Sequence, residues 1–192
     1  MEIRLFLYTG TAMVIDRYIC VYCGSKSGSH ARYKLAAKAL GAAIVDRGYG
    51  LVFGGGSIGL MGTVADAVLA AGGPVLGVIP RDLMARELGH TEVTELVVVD
   101  DMHQRKALMT NRATAFVAMP GGYGTLEELF EMVAWSQLEI HDRRIGLLNT
   151  GEYFDQLLGF LDHAVAEGFL HSRHRELLRV NDDPVALLDL LF

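Results

Sequence analysis

Two pairs of adjacent charged residues have side chains that could take part in catalysis or bind a ligand. One of these pairs follows a glycine-rich segment. Arg105 and Lys106 stand together in one segment, and Glu127 and Glu128 directly follow the glycine-rich residues 120–126. A carboxylate can stabilise developing positive charge or activate a water molecule, and an arginine can bind phosphate or negative charge. These residue types predict a site for a small molecule that carries a phosphate group.

Glycine-rich turns follow three of the apolar segments that we predict as strands. They occupy residues 23–28, 54–62 and 120–128. A glycine lets the backbone come close to a ligand, and the start of a helix offers unpaired N–H groups to an anion. The carboxyl ends of parallel strands meet at one edge of a sheet, so the three turns predict a single crevice. The alternative is that the glycines serve only tight turns and close helix–strand packing.

The turn at residues 120–128 has two interpretations. Thr125 could bind a phosphate oxygen, or it could begin the next helix in a capping box in which Glu128 reaches back to its backbone. From these residues alone the capping box is favoured, and it predicts a helix over residues 126–140. In either case Glu127 and Glu128 are stabilised by the positive end of the helix.

A second motif, Gly54-x-Gly56-x-x-Gly59, follows a predicted strand and precedes a predicted helix, so it matches the dinucleotide fingerprint. Alone, this match is weak evidence. After the next strand come Arg81, which suits the 2′-phosphate of NADP, and Asp82, which suits the ribose hydroxyls of NAD. An NADP-binding reductase is therefore one alternative function.

Apolar segments of strand length alternate with helical patterns along the chain. The strand candidates are residues 19–22, 50–53, 75–79, 95–99, 115–119 and 145–148, with a further extended piece near 178–180. The helix candidates are residues 31–47, 60–71, 103–113, 126–140 and 153–167. The strand candidates are continuously apolar, which is typical of a parallel sheet covered on both faces. This alternation predicts a single α/β domain with a Rossmann-like, doubly wound parallel sheet flanked by helices.

The composition narrows the class of protein. The chain has 192 residues, of which 51% are hydrophobic and 21% charged, and its formal net charge of −6 argues against a nucleic-acid partner. No apolar stretch reaches the ~18–20 residues that a membrane span needs. The only two cysteines, Cys20 and Cys23, exclude a disulfide-rich secreted scaffold. We therefore predict a cytoplasmic protein with an N-terminal extension at residues 1–17 and one domain at residues 18–192.

The chain also resembles a known family. The likeness lies in residues 120–128, 102–107, 23–25, 54–62 and 77–80. These segments resemble the Lonely Guy (LOG) family of cytokinin riboside 5′-monophosphate phosphoribohydrolases, and the likeness runs from Tyr18 to the C-terminus. The resemblance implies a Rossmann-like homodimer that hydrolyses the N-glycosidic bond of N6-modified AMP, and often of AMP itself. The products would be a free base and ribose 5-phosphate.

The resemblance also implies roles for individual residues. Arg105 and Glu128 would form the catalytic pair, with Glu127 beside them at the ribose. Lys106 would lie next to the nucleotide. Glu87 would contact the base, although the proline before and the threonine-glycine after this glutamate in the family are absent here. The other substrate contacts would come from the glycine-rich turns, with residues 121–125 cradling the 5′-phosphate: Ser25, Gly55, Gly121, Gly122, Tyr123, Gly124 and Thr125.

The residue types suit this chemistry without a metal or a cofactor. Breaking a glycosidic bond builds positive charge on the ribose, which Glu128, or Glu127 instead, would stabilise while orienting water. Arg105 stays protonated, so it would orient the glutamate and the phosphate or stabilise the departing base. A non-catalytic nucleotide or cofactor carrier on the same fold is the main alternative. A lysine decarboxylase, a label often given to such proteins, is rejected because Lys106 lacks the rest of a pyridoxal site.

Overall fold

One parallel sheet of seven strands organises the computed structural model, which describes residues 17–84 and 88–192. The strands are β1 (Tyr18–Tyr22), β2 (Gly50–Phe53), β3 (Val75–Pro80), β4 (Glu95–Val99), β5 (Ala113–Ala118), β6 (Ile145–Leu148) and β7 (Leu178–Asn181). Their order is β4-β3-β2-β1-β5-β6-β7, and every neighbouring pair is parallel. The predicted α/β fold class is confirmed. Of the predicted N-terminal extension, residues 1–16 lie outside the described residues.

Helices cover both faces of this sheet. They are α1 (Ala31–Asp46), α2 (Gly59–Ala70), α3 (Met102–Arg112), α4 (Tyr123–Gln137), α5 (Asp155–Ala166), α6 (Ser172–Arg175) and α7 (Pro184–Leu191). Helices α1, α2 and α7 pack on one face, and α3, α4 and α5 pack on the other. Within residues 17–84 and 88–192, no helix has the length and apolar character needed to cross a membrane.

The continuous apolar strands follow from these two layers. Ile19 and Val21 of β1 belong to the core under α1 and α2, whereas Cys20 and Tyr22 belong to the core under α3 and α4. Successive side chains of a strand point to opposite faces, so a strand buried on both sides has no polar position. The sheet therefore has two apolar faces of similar extent.

The strand order reverses between β1 and β5. From β1 the chain builds outward through β2, β3 and β4, and it then returns to place β5 on the other side of β1. In a doubly wound sheet the ligand crevice lies outside the carboxyl ends of the strands at this switch point. The turns that follow β1 and β5 are therefore the two that border the crevice.

Gly41 of α1 lies where α1 and α2 approach closely. A Cβ at this position would lie 2.6 Å from the Cβ of Ala67 and 3.0 Å from the carbonyl oxygen of Val64. We expect Gly41→Ala to lower the free energy of unfolding by about 1–3 kcal/mol, although alanine is the better helix former. Urea denaturation followed by circular dichroism measures this change.

Gly159 of α5 provides a matched control for that substitution. No atom of the described residues lies within 4 Å of a Cβ placed there. Gly159→Ala should therefore raise the free energy of unfolding by about 0.5–1 kcal/mol. A Gly41→Ala protein as stable as wild type would contradict the close approach of α1 and α2.

Candidate active site

Three backbone turns meet at the carboxyl edge of the sheet. Gly24, which follows β1, donates its N–H to the carbonyl oxygen of Pro120 after β5, at 3.0 Å. The carbonyl oxygen of Gly24 accepts a hydrogen bond from the N–H of Leu60 in α2, also at 3.0 Å. The turns after β1, β2 and β5 are thereby joined at one residue, Gly24, as the sequence predicted for a shared edge.

A cavity of about 490 Å³ opens at this junction. Its wall contains residues 23–26 after β1, residues 120–125 after β5, and side chains from α2, α3 and α4. Arg105, Glu127 and Glu128 all line it. Three of the four charged residues and the glycine-rich turns after β1 and β5 therefore lie around one space.

Helix α4 begins three residues earlier than the capping box predicted. Its N-cap is Gly122, and no side-chain hydrogen bond caps this end among the described residues. Thr125 is the third residue of the helix and is only 3% exposed. The capping-box interpretation is wrong, because Thr125 lies inside the first turn. The N–H groups of this turn therefore face the cavity edge without a side chain to satisfy them.

Glycine is required where α4 and α2 approach the other turns. At Gly121, a Cβ would collide with the side chain of Thr125, and it would lie 2.9 Å from the backbone nitrogen of Gly24. Gly59 has a φ of +68°, and a Cβ there would collide with the backbone of Ser25 and Lys26. These glycines bring the start of each helix close to the cavity.

Helix α3 supplies the buried arginine of the site. The Asp101 side chain caps α3 by accepting the N–H of Gln104 at 2.8 Å. Arg105 follows in the first turn, is 6% exposed, and donates from Nη2 to the carbonyl oxygen of Gly54 at 3.0 Å. A Cβ on Gly54 would collide with this guanidinium group. The glycine turn after β2 therefore holds the arginine in place.

Lys106 binds two carboxylates of the neighbouring helix. Its Nζ lies 2.5 Å from Glu127 Oε1 and 3.0 Å from Glu131 Oε1. Burial lowers the pKa of Lys106, but its hydrogen bonds to Glu127 and Glu131 raise it more, so the pKa lies above its ordinary value. Lys106 therefore stays charged, neutralises part of this acidic cluster and joins α3 to α4.

Glu128 has a different environment from Glu127. Its side chain is half-buried, and its charge reaches the thiols of β1 and of the following turn. Burial, together with the charge of Glu128, raises the pKa of the Cys23 thiol. Cys23 lines the cavity and remains a neutral thiol, which excludes it as a thiolate nucleophile at neutral pH. Both cysteines are buried and free.

Three residues from the sequence-based set lie apart from this cavity or outside the described residues. Gly55 packs against Ile79 and accepts the N–H of His90 at 2.8 Å, away from the cavity wall. Lys106 points to α4, as described above, and does not line the cavity. Glu87 lies outside the described residues. The other residues of the set line the cavity: Ser25, Arg105, Gly121, Gly122, Tyr123, Gly124, Thr125, Glu127 and Glu128.

Two tyrosines of the cavity wall were not predicted from the sequence. Tyr33 comes from α1, and Tyr153 comes from the loop after β6. The Tyr153 hydroxyl donates to the carbonyl oxygen of Gly121 at 2.7 Å. The signal for Tyr153 is its place shortly after the predicted strand at residues 145–148, since residues that follow parallel strands lie at the ligand-binding edge of the sheet.

The donor set of the site does not suit a metal ion. Among residues 17–84 and 88–192, no group of three or more histidine, cysteine, aspartate or glutamate side chains is arranged to hold one. Backbone N–H groups, an arginine and carboxylates surround the cavity instead. This arrangement can bind an anion at one end and place a carboxylate next to a reacting centre.

Solved structures of other proteins share the fold. The molybdenum cofactor carrier protein of Chlamydomonas reinhardtii superposes with a TM-score of 0.67 at 21% identity, over 92% of this chain and 98% of that one. The molybdenum cofactor binding protein of Rippkaea orientalis gives a TM-score of 0.69 at 18% identity, over 92% and 96% of the two chains. At these identities the likeness concerns the fold alone.

Sequence comparisons give a closer relationship. Residues 61–191 match the protein family described as "Possible lysine decarboxylase". A probable cytokinin riboside 5′-monophosphate phosphoribohydrolase of Oryza sativa subsp. japonica, LOGL2, is 49% identical over 94% of this chain and 75% of its own. The cytokinin riboside 5′-monophosphate phosphoribohydrolase LOG1 of Arabidopsis thaliana is 52% identical over 83% and 75%. The chain therefore belongs to the Lonely Guy (LOG) family of phosphoribohydrolases.

Proposed function

We propose that this protein hydrolyses the N-glycosidic bond of N6-modified AMP, a cytokinin riboside 5′-monophosphate, and releases the free base and ribose 5-phosphate. The observation that carries the proposal is that the uncapped start of α4, Arg105 and Glu128 all border one cavity. The first feature suits a phosphate, and the other two suit the breaking of a bond to ribose. AMP itself has the same phosphate and the same bond, so it is a second substrate in this proposal.

The 5′-phosphate binds at residues 121–125, which we call the phosphate cradle. The positive end of α4 and its free N–H groups attract an anion. Ser25 also lines the cavity, is exposed and can donate its hydroxyl. A nucleoside without the phosphate lacks this anchor, so it is a poor substrate.

Glu128 serves as the carboxylate at the ribose. Cleavage of the glycosidic bond gives the ribose oxocarbenium character, which an adjacent carboxylate stabilises while it orients or deprotonates water. Glu127 also lines the cavity, but Lys106 holds it at 2.5 Å and offsets its charge. Glu127 is thereby engaged in joining α3 to α4, so we assign the chemistry to Glu128 and the supporting position to Glu127.

Arg105 acts by charge rather than by proton transfer. An arginine stays protonated at all physiological pH values. Its guanidinium is buried and is held by the Gly54 carbonyl oxygen, so its position is fixed before substrate binds. We assign it to orienting Glu128 and the substrate and to stabilising negative charge on the departing base.

The base lies at the apolar end of the cavity. Leu60, Met61 and Met102 line the wall there, from the starts of α2 and α3. Methionine side chains adapt to irregular apolar groups, which suits an N6-alkyl substituent on adenine. The same wall also accepts unmodified adenine, with less apolar contact.

The alternative of an NADP-binding reductase has less support. A dinucleotide fingerprint binds pyrophosphate at its glycine turn. Here the Gly54 carbonyl binds Arg105, and Gly55 and Ser57 bind the backbone of residues 88–90. The turn is therefore occupied by the protein's own groups.

We propose that the protein forms a homodimer through an apolar surface on α4 and α5. Four large apolar side chains in α5 or just after the C-terminal ends of α4 and α5 are 61–90% exposed: Leu138, Ile140, Phe160 and Phe169. None of the 12 residues of α5 is buried, and a groove of about 150 Å³ lies between α4 and α5. A patch of this kind marks an interface, and a second copy joined by a two-fold axis covers it on both protomers.

A cytoplasmic location is also part of the proposal. Cys20 and Cys23 are both free thiols, which suits a reducing compartment. The substrate we propose is a nucleotide, and the partners are this small molecule and a second copy of the chain.

Product analysis tests the reaction. The protein is mixed separately with N6-isopentenyl-AMP, AMP and N6-isopentenyladenosine, and the products are separated by liquid chromatography. We expect free base and ribose 5-phosphate from both monophosphates and no base from the riboside, because only the monophosphates reach the phosphate cradle. Tight AMP binding without release of base would instead favour the carrier alternative.

Substitutions at the two catalytic positions test the assignment of roles. Glu128→Gln should lower kcat by about 10²- to 10⁴-fold, since an amide neither stabilises the oxocarbenium ion nor activates water. Arg105→Ala should abolish turnover as well. Steady-state rates of base release measure both effects.

Glu131→Gln is the matched control for the catalytic variants. Glu131 lies on the same helix as Glu128 and binds Lys106, but it does not line the cavity. This variant should retain most of the wild-type activity. Full activity in Glu128→Gln, with a large loss in Glu127→Gln, would move the catalytic role to Glu127.

Light scattering after gel filtration tests the homodimer. Phe160→Glu places a charge on the α4–α5 surface and should convert the dimer to a monomer. Leu35→Glu is the control, because Leu35 of α1 is 65% exposed, close to the 63% of Phe160, and lies on the opposite face of the sheet. A monomeric wild type, or a Phe160→Glu protein that stays dimeric, would contradict the proposed interface.

A further inference from the structure

We infer that Tyr153 is a positioning residue for the phosphate cradle, and this inference rests on the proposed function. Its hydroxyl donates to the carbonyl oxygen of Gly121 at 2.7 Å, and its ring lines the cavity. Tyr153 thereby fixes the first peptide of the cradle in the orientation that receives a phosphate. It is a determinant of affinity for the 5′-phosphate and takes no part in bond cleavage.

Planarity of the peptide bond transmits the effect. The C=O of Gly121 and the N–H of Gly122 belong to one rigid plane and point in opposite directions. When Tyr153 binds the carbonyl oxygen, the N–H of Gly122 is therefore turned away from Tyr153. One hydroxyl group on the loop after β6 sets the direction of a donor on the loop after β5.

The exposed glycines of the cradle have few side-chain contacts that restrain them. Glycines lose more conformational freedom on ordering than other residues. At the exposed Gly122 and Gly124, a Cβ placed on the backbone would meet no atom within 4 Å apart from its chain neighbours and the backbone of its own helix. Three hydrogen bonds hold the carbonyl groups here: Gly24 binds that of Pro120, Tyr153 binds that of Gly121, and the N–H of Leu126 binds that of Gly122. Of these three bonds, the one from Tyr153 is made by a side chain.

Tyr153 is itself held firmly. Its ring makes edge-on contacts with Tyr33, at a centroid distance of 5.9 Å, and with Phe154, at 4.8 Å. The side chain of Asn149 braces the same loop, because it donates to Asp155 and accepts the N–H of Phe154, both at 2.7 Å. The hydroxyl therefore has a fixed position before any ligand binds, which is the requirement for preorganisation.

The same bond improves the electrostatics of phosphate binding. A carbonyl oxygen that pointed towards a phosphate would repel it. The hydrogen bond from the Tyr153 hydroxyl holds the Gly121 carbonyl oxygen in a different direction. A hydrogen bond to a carbonyl also polarises the peptide and strengthens its N–H as a donor. Both effects act on the bound phosphate alike in the ground state and the transition state, so they change KM rather than kcat.

The test compares Tyr153→Phe with wild type in steady-state hydrolysis of N6-isopentenyl-AMP. The substitution keeps the ring and removes only the hydroxyl. We expect KM to rise about 3- to 10-fold, the value of one neutral hydrogen bond, while kcat stays within about twofold. The inhibition constant of ribose 5-phosphate should rise by the same factor, and that of adenine, which has no phosphate, should not change.

Tyr49→Phe is the matched control. Tyr49 is 7% exposed, stacks on Phe192 at 4.5 Å, and lies next to β2 at the opposite edge of the sheet from the cavity. Loss of this hydroxyl should leave both inhibition constants unchanged. Asn149→Ala, which removes the brace of the Tyr153 loop, should weaken ribose 5-phosphate binding in the same direction as Tyr153→Phe.

Direct binding separates this inference from the proposed function. If wild type releases no base, calorimetry with ribose 5-phosphate still compares wild type and Tyr153→Phe, and weaker binding by the variant supports the role of Tyr153 alone. If wild type is active and the variant binds ribose 5-phosphate as tightly as wild type, the role of Tyr153 is overturned and the hydrolase proposal stands. Wild type that neither releases base nor binds ribose 5-phosphate would overturn both.

Discussion

The geometry of the site depends on the backbone of one residue, Gly24. β1 and β5 are adjacent where the strand order reverses, so the turns that follow them start side by side. Gly24 then binds Pro120 with its N–H and Leu60 with its carbonyl oxygen, which fixes the spacing of three turns. A Cβ on Gly24 would lie 3.3 Å from the Cα of Gly121, which is closer than an ordinary van der Waals contact, so the junction favours a residue without a side chain. Because of this junction the starts of α2 and α4 border the same cavity, and their positive ends reinforce each other.

A second constraint separates two adjacent carboxylates. Glu127 and Glu128 are neighbours in sequence, but a helix turns by about 100° per residue, so they meet different partners. Lys106 lies against Glu127 and Glu131 and keeps its own charge, because those hydrogen bonds outweigh the effect of burial on its pKa. Burial and the charge of the half-buried Glu128 together raise the pKa of the Cys23 thiol, which lines the cavity. The ion pair between α3 and α4 therefore gives the two adjacent carboxylates different surroundings.

The sequence predicted the strands within two residues, because a sheet buried on both faces leaves continuous apolar segments that stand out from their surroundings. The start of α4 was predicted wrongly, since a local capping pattern at Thr125 and Glu128 does not reveal that the turn before it already has helical geometry. The partners of Lys106 could not be predicted either, because spacing along α3 carries no information about the distance to α4. Tyr153 matches no motif and owes its position to β6 lying beside β5.

The glycine turn after β2 has the spacing of a dinucleotide-binding motif but binds an arginine of the protein itself. Its spacing matches a dinucleotide fingerprint, and its glycines do permit a close approach, but the group that approaches Gly54 is the guanidinium of Arg105. Because Asp101 caps α3 just before Arg105, the first turn of that helix delivers the arginine to the turn after β2. A cation there excludes further cations and attracts an anion to the neighbouring turn after β5. The two glycine turns therefore have different roles, because the turn after β2 holds the arginine and the turn after β5 remains available to bind phosphate.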